Sequence, residues 1–112
     1  MNPDSIQDTL REWGQWHDPK SELLRNFDLT KFSRKLRYGS GRMTDADALK
    51  VEEAVTALRG MYPIAARALL LFYIGLSIKD VSTVTGYTLR TIRQSLDTAE
   101  GFVAGYLYNE LT

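Results

Sequence analysis

Residues 63–103 read PIAARALLLFYIGLSIKDVSTVTGYTLRTIRQSLDTAEGFV, and this stretch decides the fold. It opens on Pro63, well suited to the first position of a helix. It continues as a helix apolar nearly all round: Ala65, Ala66, Ala68, Leu69, Leu70, Phe72 and Tyr73 mark it as central and buried. Gly75-Leu76-Ser77 breaks it. Ser77 and Asp80 form a capping box for a short second helix from Ile78 to about Thr85. Gly86 supplies the turn, and Thr88 caps a third helix. On that helix Ile92, Leu96, Ala99 and Val103 fall on one buried stripe. This is the punctuation of a helix-turn-helix, the motif that lays a helix in the DNA major groove.

At about 100° per residue, Arg90, Thr91 and Gln94 point away from the buried stripe, near the helix start. A recognition helix reads base edges from there. Arginine pairs with guanine and glutamine with adenine through two parallel hydrogen bonds. Arg93 stands on the flank, placed for a phosphate. Lys79 on the preceding helix reaches the backbone, and Thr88 sits at the helix start. The expected DNA-binding set is Lys79, Thr88, Arg90, Thr91, Arg93 and Gln94. Two positions depart from the usual pattern: Thr85 stands where an apolar residue is common, and Ser82 where alanine is. The competing reading is a helical bundle whose polar residues here are merely solvated.

The rest of the chain is helical too. Ile6, Leu10 and Trp13 give an amphipathic helix over Asp4–Trp16, opened by Pro3 or Asp4 and limited by Gly14 and Asp18-Pro19. Trp13 and Trp16 read as core packing. Ser21–Phe27 offers a helical turn or two. Phe32 and Leu36 allow a short basic helix over Thr30–Tyr38, ended by Gly39-Ser40-Gly41. Thr44, with Asp47, caps a helix carrying Ala48, Val51, Val55 and Leu58 inward and ending at Gly60. Gly101 and Gly105 inside the last helix each cost about 1 kcal/mol against alanine, which makes sense where another element packs close. The expectation is an all-α domain of about five to six helices, divided into an N-terminal helix and basic segment (residues 1–43) and a helix-turn-helix core (residues 44–112).

The formal net charge is zero, from 14 basic and 14 acidic residues, which argues against a nucleic-acid binder. The distribution argues the other way. Residues 1–19 carry four acids and one base, whereas residues 20–42 carry Lys20, Arg25, Lys31, Arg34, Lys35, Arg37 and Arg42 against Glu22 and Asp28. This basic band is either a solvated face or linker, or a contact for nucleic acid or polymerase. Lys31, Arg34, Lys35, Arg37 and Arg42 are the candidates for that contact.

Enzyme chemistry finds no support. His17 is the single histidine, expected as a solvated loop residue, with no nucleophile at hand and no glycine-rich phosphate loop. With no cysteine, no disulfide framework or thiolate zinc site forms, and no metal or cofactor is expected. No apolar run approaches the ~20 residues that span a bilayer, and the N-terminus shows no signal peptide. A cytoplasmic protein is the expectation.

The segment Leu69 to Ser77, with Val81, Gly86 and Ile92-Arg93, resembles the fourth region of bacterial sigma factors, which reads the promoter −35 element. The wider pattern adds Leu10-Arg11-Glu12-Trp13-Gly14-Gln15-Trp16 near the start, Met43-Thr44-Asp45-Ala46-Asp47-Ala48-Leu49 before a helix ending Ala57-Leu58-Arg59, and Ala99 to Leu107 near the end. Together these resemble the late-gene antiterminator Q proteins of lambdoid phages, of the zinc-free kind. The resemblance implies a protein that binds double-stranded DNA near a phage late promoter in the bacterial host. It implies loading onto RNA polymerase held at a sigma-dependent pause, followed by read-through of pauses and terminators. On this reading the helix Thr88–Thr98 reads the DNA element, and the basic band meets polymerase, its sigma factor or the nascent RNA. The alternatives are a sigma-like or repressor-like DNA-binding regulator with no role in elongation, and a helical interaction module that binds no DNA.

Overall fold

The computed structural model describes residues 5–17, 24, 27–36 and 43–111, with side chains to residue 108. Among these residues the chain is all-helical, with five α-helices and no strand. The order is α1 (Ile6–Trp16), α2 (Asp45–Met61), α3 (Pro63–Tyr73), α4 (Ile78–Thr85) and α5 (Leu89–Leu111), with a 3₁₀ turn at Thr30–Phe32 between α1 and α2.

The central helix is α3. Ala65, Ala66, Ala68, Leu69, Leu70 and Leu71 are all buried, because α1, α2, α4 and α5 pack around it. Its small and branched side chains let neighbours approach on every side. From α1, Leu10 and Trp13 enter this core, and from α5, Ile92, Leu96, Ala99 and Val103. Trp13 is therefore a core residue. Its indole N–H is satisfied by Oε1 of Glu52 at 2.8 Å. Trp16, half-buried, donates to Oδ1 of Asp45 at 2.9 Å.

Three expectations about helix ends are corrected. The first helix begins at the cap Ser5, whose side chain accepts the Asp8 N–H at 3.2 Å. It runs through Gly14 rather than being limited by it. Gly14 is there for close approach: a Cβ at this position would overlap the carbonyl oxygen of Tyr73 at the end of α3. The second helix passes Gly60 and ends at Met61, since Tyr62 precedes Pro63 and is pushed out of helical geometry to φ −137°. Its cap Thr44 accepts the Asp47 N–H at 3.2 Å.

Of the basic helix expected over Thr30–Tyr38, the described residues 30–36 form a 3₁₀ turn at Thr30–Phe32 followed by a hydrogen-bonded turn. Tertiary seating outweighs local propensity here. The backbone of Lys35 lies directly on Gly75, whose φ of +128° and crowded α-carbon suit glycine alone. Of the Ser21–Phe27 stretch only Leu24, which is buried, and Phe27 are described. The Gly39-Ser40-Gly41 break, Arg37 and Arg42 lie outside the described residues.

Gly101 and Gly105 do not meet a neighbouring element. Among the described residues, a Cβ on either would find no heavy atom within 4 Å.

His17 is also corrected. It is buried, 6% exposed, not solvated. It caps the C-terminus of α1, sits edge-on to Trp13 and Trp16 with ring centroids 5.1 and 5.9 Å away, and bonds Oε1 of Glu52 at 2.5 Å. Burial pushes the pKa of Glu52 up, but the hydrogen bond and charge of His17 and the bond from Trp13 outweigh it and hold the carboxyl below its usual range. This group clamps α1 to α2.

Candidate nucleic-acid interface

The turn between α4 and α5 is held by side chains as well as backbone. Ser77 accepts the Asp80 N–H at 3.1 Å, and Oδ2 of Asp80 accepts the Ser77 N–H at 3.4 Å, a complete capping box. Gly86 closes α4 at φ +81° in open surroundings, so the backbone conformation rather than crowding requires glycine there. The two departures from the usual motif stitch this turn. Ser82 donates its hydroxyl to the Tyr87 carbonyl at 2.5 Å. Thr85 donates to the Val81 carbonyl at 2.7 Å and accepts the Tyr87 N–H at 3.4 Å.

Thr88 then caps α5. Its hydroxyl accepts the Thr91 N–H at 3.1 Å and donates to Thr91 Oγ1 at 3.0 Å. With Ile92, Leu96, Ala99 and Val103 buried, the opposite face of the first turns is presented outward. Arg90 and Gln94, four residues apart, are both exposed there. Lys79 is exposed on the first turn of α4.

The remaining predicted residues divide between two flanks. Thr91 is half-buried and turned toward the start of α3. With Gln94, Ser95, Thr98, Tyr62, Ile64 and Ala65 it lines a shallow groove of about 280 Å³. Arg93 takes the other flank. It lines a cleft of about 780 Å³ formed with α1, the loop after the 3₁₀ turn, the end of α3 and the start of α4. Arg34 and Lys35 line the same cleft, as do Arg11, Asp97 and Glu100. The structure thus brings two members of the basic band to the helix-turn-helix. Lys31 lies in the 3₁₀ turn and is exposed.

The electrostatics of the cleft follow from its pairings. Lys35 Nζ donates to Oδ2 of Asp80 at 2.8 Å. That bond, with those from Ser77 and the Lys35 charge, holds the Asp80 carboxyl below its usual range despite some burial. Arg11 pairs with Asp8 at 2.6 Å. The Tyr73 hydroxyl donates to Oε1 of Glu100 at 2.5 Å. Burial, then that bond and the Glu100 charge, push the phenol far above its ordinary value, with Arg11 opposing.

Sequence reasoning missed three features: the cluster of His17, Trp13 and Glu52, the place of Arg11 in the cleft, and the apolar Tyr62 and Ile64 beside Thr91. Only the first left a trace, since Trp13 and His17 are four apart and so share one face of a helix.

A capped turn joins α4 to α5 and leaves the first turns of α5 displayed, the arrangement of a helix-turn-helix within an all-helical domain. The chain belongs to the phage antitermination protein Q family, which it matches over residues 4–110. Neither curated proteins nor solved structures give a match to it. Membership makes it a non-enzymatic transcription factor of antitermination in late transcription, acting on RNA polymerase. No helix among the described residues is long and apolar enough to cross a membrane.

Proposed function

We propose that the first turns of α5 read a DNA element near a phage late promoter, and that the protein so placed loads onto paused RNA polymerase. The observation that carries this reading is the outward display of Arg90 and Gln94, opposite the buried stripe Ile92–Val103. Both side chains make bidentate contacts to base edges, arginine to guanine and glutamine to adenine. Thr91, Thr88 and Lys79 stand at the margins of that surface, where backbone contacts fix register. The site of action is the cytoplasm of the bacterial host. The basic band 31–42 carries the second contact, with polymerase, its sigma factor or the emerging transcript. Lys31, Arg37 and Arg42 supply its charge.

A gel shift on duplex DNA from upstream of the late promoter, titrated with salt, tests the DNA step. Affinity falls steadily as salt rises, because phosphate contacts release counterions. Equal retention of the element and of a scrambled duplex contradicts base reading.

A further inference from the structure

The cleft beside Arg93 has no part in base reading, yet it gathers charge from three separate segments. Its charges are arranged unevenly. At the α1 end, Glu100 is bonded to Tyr73, and Arg11 lies near enough to act on the Tyr73 hydroxyl. Lys35 is matched by Asp80. Arg34 and Arg93 are different: both are exposed, and neither has an ion-pair partner among the described residues. Asp97 stands one turn further along α5 than Arg93, away from the helix start.

The geometry points to this cleft as a seat for one sugar-phosphate strand of the duplex whose bases α5 reads, with Arg34 and Arg93 gripping its phosphates. The inference rests on the DNA reading proposed above and assigns Arg34, within the basic band, to DNA. A helix lying in the major groove, about 12 Å wide, has a phosphate row on either side. Arg93 is on the flank of α5, between the outward Arg90 and the buried stripe, so it faces such a row. Arg34 comes to the same cleft from the loop. Arginine presents a planar fork that matches two phosphate oxygens and stays charged at any working pH. The loop is firmly mounted, with Lys35 seated on Gly75 and paired to Asp80. Little ordering is then needed when DNA arrives.

Fluorescence anisotropy on the full chain tests this, with a duplex carrying the late-promoter element, a scrambled duplex of equal length and a single-stranded RNA, each over a salt series. Arg34→Gln is expected to weaken both duplexes alike, by roughly tenfold at low salt, and to lower the salt slope by about one. Arg34→Lys is expected to keep the slope. Arg90→Ala is expected to weaken the element alone. Wild-type duplex affinity and slope in Arg34→Gln, alongside a loss in Arg90→Ala, overturns the phosphate seat and leaves the base reading intact. Unchanged duplex binding with weakened RNA binding in Arg34→Gln overturns it in favour of RNA. Indifference of DNA binding to both arginines overturns the base reading itself.

Discussion

The Nζ of Lys35 donates to Oδ2 of Asp80 at 2.8 Å, joining the loop after the 3₁₀ turn to the first turn of α4. Asp80 also completes the Ser77 capping box, so one carboxylate both starts the helix-turn-helix and anchors the basic segment to it. The loop and the motif are therefore one body.

Gly75 carries the other half of that anchorage. Gly75→Ala forces a side chain onto a backbone at φ +128° and against the Lys35 carbonyl. We expect a loss of about 1–3 kcal/mol and displacement of the loop. Gly86→Ala meets no neighbour among the described residues and carries only the cost of its positive φ, so its loss is the smaller. Urea unfolding of the two variants ranks them, and NMR shifts of residues 30–36 should move in the first alone.

Acid sensitivity should trace to Glu52. Its folded-state pKa lies below the ordinary value of 4.5, so in the acid range the unfolded chain binds the extra proton. Its contribution is complete above about pH 5 and disappears as pH falls below 4.5 through the folded value. Glu52→Gln should flatten the acid limb of a plot of unfolding free energy against pH. Parallel acid limbs for the two proteins exclude this origin.

Gly101 and Gly105 are helical, exposed and without close neighbours among the described residues. Each replacement by alanine should raise stability by about 0.5–1 kcal/mol in urea unfolding. A gain in stability accompanied by a loss of antitermination activity identifies this face as one a partner approaches closely.

Leu70, fully buried at the middle of α3, sets the core. Leu70→Ala should cost about 2–5 kcal/mol, read as a lowered denaturation midpoint with an unchanged slope.

The helix-turn-helix was legible in the sequence because its signals are local. Ser77 with Asp80, Gly86, Thr88 and the Ile92–Val103 stripe each act within a turn or two of chain, and all appear in the structure as read. The same holds for Trp13 and for the buried α3. What was not legible depends on distant partners. His17 looked like a loop residue because its clamp, Glu52, lies 35 positions away. The Thr30–Tyr38 helix was expected from the spacing of Phe32 and Leu36, while the seat on Gly75 that bends the loop has no local signature. Gly14 in the sequence signals a weakened helix end, because sequence cannot show that Tyr73 lies against it. For the site, helical periodicity placed Arg90 and Gln94 outward correctly, but it did not show that Arg34 and Arg93 share a cleft.

The central claim is that reading of DNA by α5 is what brings this protein to polymerase. Run-off transcription past an intrinsic terminator, on the native late-promoter template, tests it with wild-type protein and Arg90→Ala side by side. Strong read-through is expected with wild type, and with Arg90→Ala a requirement for about 5- to 150-fold more protein, the loss of one base contact worth about 1–3 kcal/mol. Equal read-through by the two proteins at limiting concentration contradicts it.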